Sequence, residues 1–139
     1  MTNIFIDANV LVGVLNKEYP LFSDAARILS LAEHRNFTLF TSPICLAIAF
    51  YFAEKKSGAI QAKSKITKLL NHISITTTNE AFVKLAINNV LVNDFEDGMQ
   101  YYSALASDCS VIVTEDKDDY YYSELQVLNC REMLERVTS

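Results

Sequence analysis

The chain has 139 residues, half of them hydrophobic, with 3 Gly, 2 Pro and a formal charge of −5. That length suits one domain, residues 1–139, burying roughly two-thirds of its unfolded surface in a single core, and the composition excludes a disordered chain. The acidity argues against binding nucleic acid by bulk electrostatics, which needs a clustered excess of Lys and Arg.

The first segment, NIFIDANVLVGVLN, begins with the apolar run Ile4 to Ile6. The run predicts a buried strand, and Asp7 follows it directly. Val10, Leu11, Val14 and Leu15, and then Phe22, Ala25, Ala26, Leu29 and Ala32, recur near the helical period. Phe37 to Thr41 predicts a second strand. Ser42-Pro43 then opens a helix, serine capping it and proline occupying its first turn. Further helices are expected around Ala59 to Leu70, Ala81 to Ala86 and Phe95 to Ala106, with strands at Ile73 to Thr76, Ser110 to Val113 and Gln126 to Leu128. Helices alternating with short apolar strands imply an α/β fold, three layers around a mainly parallel sheet.

The longest uncharged run, Phe37 to Ala53, splits into a strand and a helix, so no membrane span is expected. The N-terminus has none of the marks of a signal peptide, and the expected compartment is cytoplasmic. Cys45, Cys109 and Cys130 lack CxxC spacing and read as buried thiols. His34 reads as a solvent-facing residue at a helix end, and His72 as a helix end or strand start. No HExxH, glycine-rich phosphate loop or GxSxG elbow is present.

Charge is unevenly spread. Residues 94–124 carry nine acids against one base, Lys117, while residues 55–68 carry five bases, among them Lys55 and Lys56. Such halves fit a cation-binding pole beside a polyanion-contacting face, or two ordinary solvated surfaces. In parallel sheets, sites lie beyond the carboxyl ends of the strands. Asp7 follows one strand there, and Thr114, Glu115 and Asp116 follow another. If those strands are neighbours, Asp7 and Asp116 converge. Asp94 and Asp97, at the start of the Phe95 helix, either cap it or join the same edge. Carboxylates gathered without a counterion raise one another's pKa, a conflict that a divalent cation resolves. Mg²⁺ and Mn²⁺ bind through a few such oxygen ligands and promote phosphodiester hydrolysis. Tyr120 to Tyr122 can stack on bases, although such runs are also commonly buried. Lys117 either contacts a phosphate or neutralises its neighbours.

FIDANVLVGVLN, SPICLAIAFYFAEKK, DFEDGMQYYSALASDC and VIVTEDKDDY, in that order, resemble a PIN domain, in particular the bacterial subgroup of toxin-antitoxin toxins. The resemblance covers essentially the whole chain. It implies an α/β/α sandwich and a Mg²⁺- or Mn²⁺-dependent ribonuclease. The family's acids fall on Asp7, Asp97 and Asp116 as catalytic and metal-binding residues, supported by Asn9, Asp94, Glu96, Thr114 and Asp119. Lys55, Lys56 and Lys117 are expected nucleic-acid contacts. An antitoxin partner and a homodimer are also implied. The chain departs from the pattern at Ile48, where the family usually has a glutamate. A PIN-like protein that binds RNA or protein without cleaving, and a purely protein-interacting domain whose acids are caps and solubilising charge, are the rival readings.

Overall fold

A computed structural model describes residues 1–138. Five strands, β1 (Thr2–Ile6), β2 (Phe37–Thr41), β3 (Ser74–Ile75), β4 (Val111–Val113) and β5 (Gln126–Leu128), form one sheet in the order β3-β2-β1-β4-β5. Every pairing is parallel. Ile4, Phe5 and Ile6 are fully buried, as are Ile112 and Val113, which explains why these strands show no polar alternation.

Among the described residues, seven α-helices connect and cover the strands: α1 (Ala8–Leu15), α2 (Leu21–Ser30), α3 (Pro43–Ser57), α4 (Ala59–Leu69), α5 (Glu80–Asn88), α6 (Phe95–Ala106) and α7 (Cys130–Thr138). The arrangement is the expected three-layer α/β/α sandwich. Helix α1 packs against α2 and α3, α3 against α4, and α2 against α7, while α5 packs against α6. Ser42 caps α3, its Oγ accepting from the Cys45 N–H at 3.0 Å, with Pro43 in the first turn. Gly58, at φ +84°, separates α3 from α4 in a conformation that a side chain would strain.

Two features differ from the sequence reading. The Ile73 to Thr76 strand shortens to Ser74–Ile75 at the sheet edge, where one neighbour instead of two limits pairing. Helix α7 follows β5 and buries Cys130 and Met133 against α2; Cys130, Met133, Leu134 and Val137 recur at the helical period, a signal that the sequence reading did not use. All three cysteines are buried and free. His34 lies exposed, edge-on to the Phe37 ring, after a 3-10 turn at Leu31–Glu33. No helix among the described residues is long and apolar enough to cross a membrane.

Candidate functional site

Strand β1 lies between β2 and β4, and the connections after the neighbouring strands β1 and β4 run to opposite sides, towards β2 and β5, which opens a crevice at their carboxyl ends. The register Ile6↔Val113 brings the residues after the two strands side by side, and the Asp7 N–H donates to the Val113 carbonyl at 3.0 Å. Asp7 is both the cap of α1, accepting from the Ala8 N–H at 2.8 Å, and the acceptor of the Thr114 hydroxyl at 2.9 Å. The Asn9 amide donates to Thr114 Oγ1 at 3.0 Å and to Asp116 Oδ2 at 3.2 Å. Residues more than a hundred positions apart are thereby tied into one edge.

Helix α6 supplies the facing wall. Asp94 caps it, its Oδ1 accepting from the Asp97 N–H at 3.1 Å. Asp94 also lines the cleft, so both readings of that residue hold. Asp7, Glu18, Asp94, Glu96, Asp97, Asp116 and Asp119, seven carboxylates among the described residues, line one cleft of about 440 Å³, and none of the described residues lining it is a Lys or Arg.

The electrostatic consequence is a site that resists ionisation. Burial pushes Asp7 above the usual carboxylate range, against hydrogen bonds from the Ala8 N–H, the Thr114 hydroxyl and the Cys45 thiol, which favour its charged form. Burial, then Asp94, Asp7, Asp119 and Glu96, push Asp97 up to about 8. Glu96 is raised by burial and by Asp94 and Asp7, and Asp119 by burial and by Asp116, Asp94 and Asp118. The donor set is all oxygen and strongly anionic, which fits a hard divalent cation. Among the described residues, however, no group of three His, Cys, Asp or Glu stands ready to hold an ion. Like charges favour separation, and drawing three carboxylates onto one point requires a cation to offset them.

Several residues beneath the cleft were not singled out by sequence reasoning. Gln100, 1% exposed, accepts from the Ser42 hydroxyl at 3.5 Å and from the Cys45 thiol, while that thiol also lies 3.6 Å from Asp7 Oδ1. Burial, then Asp7, raise the Cys45 pKa, so the thiol stays protonated beside the acid. Glu18, Val12 and Phe52 complete the lining. Ile48, the residue at which the chain departs from the pattern it resembles, lines it as well with an apolar side chain.

The expected nucleic-acid contacts are dispersed. Lys117 pairs with Glu132 at 2.8 Å, so it neutralises an acid of α7 and does not line the cleft. Lys56 donates to the Asn16 carbonyl, and Lys55 is exposed near the end of α3. Tyr120 is 2% exposed and belongs to the core, which excludes it as a stacking platform; Tyr121 is exposed and donates to the Leu91 carbonyl.

Introducing a carboxylate by Ile48→Glu is expected to tighten Mn²⁺ binding about tenfold, since added ligand charge strengthens oxygen sites. It should also lower metal-free stability by adding another charge to the cleft. Calorimetry and thermal melting read both effects, and unchanged affinity would show that this wall lies beyond reach of the ion.

Compared with known proteins, residues 3–118 match the family model described as PIN domain. Ribonuclease VapC1 of Aquifex aeolicus (strain VF5) is 26% identical over 137 residues, covering 96% of this chain and 94% of that protein. VapBC2 from Rickettsia felis, whose structure was determined with a DNA fragment from their promoter, superposes with a TM-score of 0.68 at 22% identity, covering 92% of this chain and 98% of that one. VapC20 (Rv2549c) from Mycobacterium tuberculosis, a sarcin-ricin loop cleaving toxin, superposes at 0.63 with 14% identity, covering 78% and 86%. PAE2754 from Pyrobaculum aerophilum gives 0.68 at 17% identity, covering 99% and 96%.

Proposed function

This chain belongs to the PIN domain family, and on that premise we propose that it is a divalent-metal-dependent endoribonuclease, the toxin of a toxin-antitoxin pair. The observation that carries the reading is the cleft of seven carboxylates at the carboxyl ends of β1 and β4, with no Lys or Arg among the described residues that line it. Similarity to a ribonuclease of the VapC type supports RNA as the substrate, and similarity to a toxin and to a VapBC complex supports a protein antitoxin as partner.

In this reading Asp7, Asp97 and Asp116 hold Mg²⁺ or Mn²⁺, which when bound supplies Lewis acidity at a phosphoryl oxygen and lowers the pKa of water. The chain's own groups prepare the site. Thr114 and the Ala8 N–H fix Asp7 in one orientation, and Asn9 holds Asp116 against Thr114. Supporting groups that orient ligating carboxylates matter nearly as much as the ligands themselves. Asp97 retains a proton near neutral pH until a cation displaces it. Asp94, Glu96 and Asp119 keep the field negative around it. The chain is read as one domain that works in the cytoplasm as a homodimer.

A second reading, a PIN domain that binds without cleaving, draws on Ile48 in the cleft wall. One experiment separates them: incubating structured and unstructured RNAs with the purified protein in Mn²⁺, then with chelator. Metal-dependent cleavage that Asp97→Asn abolishes supports the enzyme. RNA retention without cleavage, unaffected by chelator, supports the alternative.

A further inference from the structure

Besides the acids, Glu18 among them, the cleft has an apolar lining made by Val12 of α1 with Ile48 and Phe52 of α3. Ile48 and Phe52 are four residues apart and therefore share one face of the helix, with Lys56 one turn further along the same line. Phe52 is 43% exposed, and neighbouring Tyr51 is 58% exposed, its ring edge-on to Phe52 with centroids 5.2 Å apart. The platform is also fixed in place: the Phe52 carbonyl accepts from the Asn16 amide at 3.3 Å, and Lys56 donates to the Asn16 carbonyl, so the end of α1 braces this turn of α3.

We propose that Phe52, backed by Ile48 and Val12, is the subsite for an unpaired nucleobase adjoining the phosphate that is cut. The proposal rests on the nuclease reading and narrows its substrate to RNA that can present a base out of the helix. A ligand for this cleft needs a part that a cation joins to carboxylates and a flat, weakly polar part for the apolar wall; a nucleotide unit carries both. Aromatic faces hold bases without regard to sequence, and bases are available for stacking in loops, bulges and single strands but not within an A-form duplex. The apolar Ile48 matters here because a glutamate would put a charge against the base. The cleft volume of about 440 Å³ suits a group of that size.

The chain contains no tryptophan, so Phe52→Trp places a sole indole on the wall. Its emission should be quenched on titration with oligoadenylate in Ca²⁺, and not by an abasic ribose-phosphate oligomer of equal length. Phe52→Leu keeps the wall apolar but removes the ring. It should weaken oligoadenylate binding about tenfold while leaving abasic binding and Mn²⁺ affinity unchanged, which also shows that the variant is folded. Equal binding of abasic and base-bearing oligomers by the unsubstituted protein would overturn the subsite and leave the nucleic-acid reading standing. Binding of neither would overturn both, and would point to a protein side chain as the occupant of the wall.

Discussion

Asp7→Asn is expected to lower Mn²⁺ affinity by about 100-fold or more, given that substituting even a residue that only supports a ligand costs 10–100-fold, and to stop RNA cleavage. Asp7 is placed to have the largest effect of any single acid. It is buried at the carboxyl end of the central strand, held by the Ala8 N–H and the Thr114 hydroxyl, and drawn to the Asp116 side of the cleft through Thr114 and Asn9. Asparagine has the same shape, and its oxygen can still accept from Ala8; its amide does not replace the Thr114 bond, because the Thr114 oxygen already accepts from Asn9 and from the Asp116 N–H, so that one hydrogen bond is lost. The fold should therefore survive, and without metal the variant should melt higher, because burial disfavours the charge that the substitution removes. Mn²⁺ at a hundred times its Kd stabilises the unsubstituted protein by about 2.7 kcal/mol, and the same concentration should barely move the variant. Calorimetric titration with paired melts tests this. A variant that binds Mn²⁺ as tightly as its parent would remove Asp7 from the ligand set and with it the proposed chemistry.

The parts of this site that were legible in the sequence are those set by the backbone. A buried strand followed at once by Asp7, and a second followed within three residues by Asp116, are enough to predict that Asp7 and Asp116 meet if the strands are neighbours, and β1 and β4 are paired. Asp94 and Asp97 could be placed at a helix start, although periodicity could not say that α6 lays them opposite Asp7. Gln100 and Cys45 were not legible, because their roles come from two helices packing beneath the cleft, and neither residue interrupts its helical pattern. The wall at Phe52 was hidden for a different reason. Helix α3 is apolar nearly all round from Ile44 to Ala53, so no face stands out in its sequence, and Ile48 could be read only as an absent glutamate. Tyr120 shows the converse: three successive tyrosines suggest a surface for bases, but a 3-10 turn, Lys117–Tyr120, rotates the first into the core.

The same crowding of acids makes metal-free stability depend on pH in the opposite sense to most proteins. Asp97 has a folded-state pKa of about 8 against an ordinary 3.8. Between those values the folded chain binds more protons than the unfolded chain, so stability falls as pH rises through this window and levels off above it. Asp7, Glu96 and Asp119 are raised as well and add in the same direction. Glu132, lowered by its bonds to Asn129 and Lys117, acts oppositely, but only below its ordinary value of 4.5. The open cleft lets solvent screen Asp97, so the loss attributed to it is about 2 kcal/mol across the window. Melting the metal-free protein at intervals from pH 5 to about 8.5 should show a steady decline, which Asp97→Asn flattens. Saturating Mn²⁺ should flatten it too, since the cation replaces the proton, and Mn²⁺ affinity should itself rise with pH over the same range. A melting temperature that climbs between pH 5 and about 8 in the metal-free protein would mean that these carboxylates are paired with cations in solution, and that the cleft is not the uncompensated acidic site from which its function is argued.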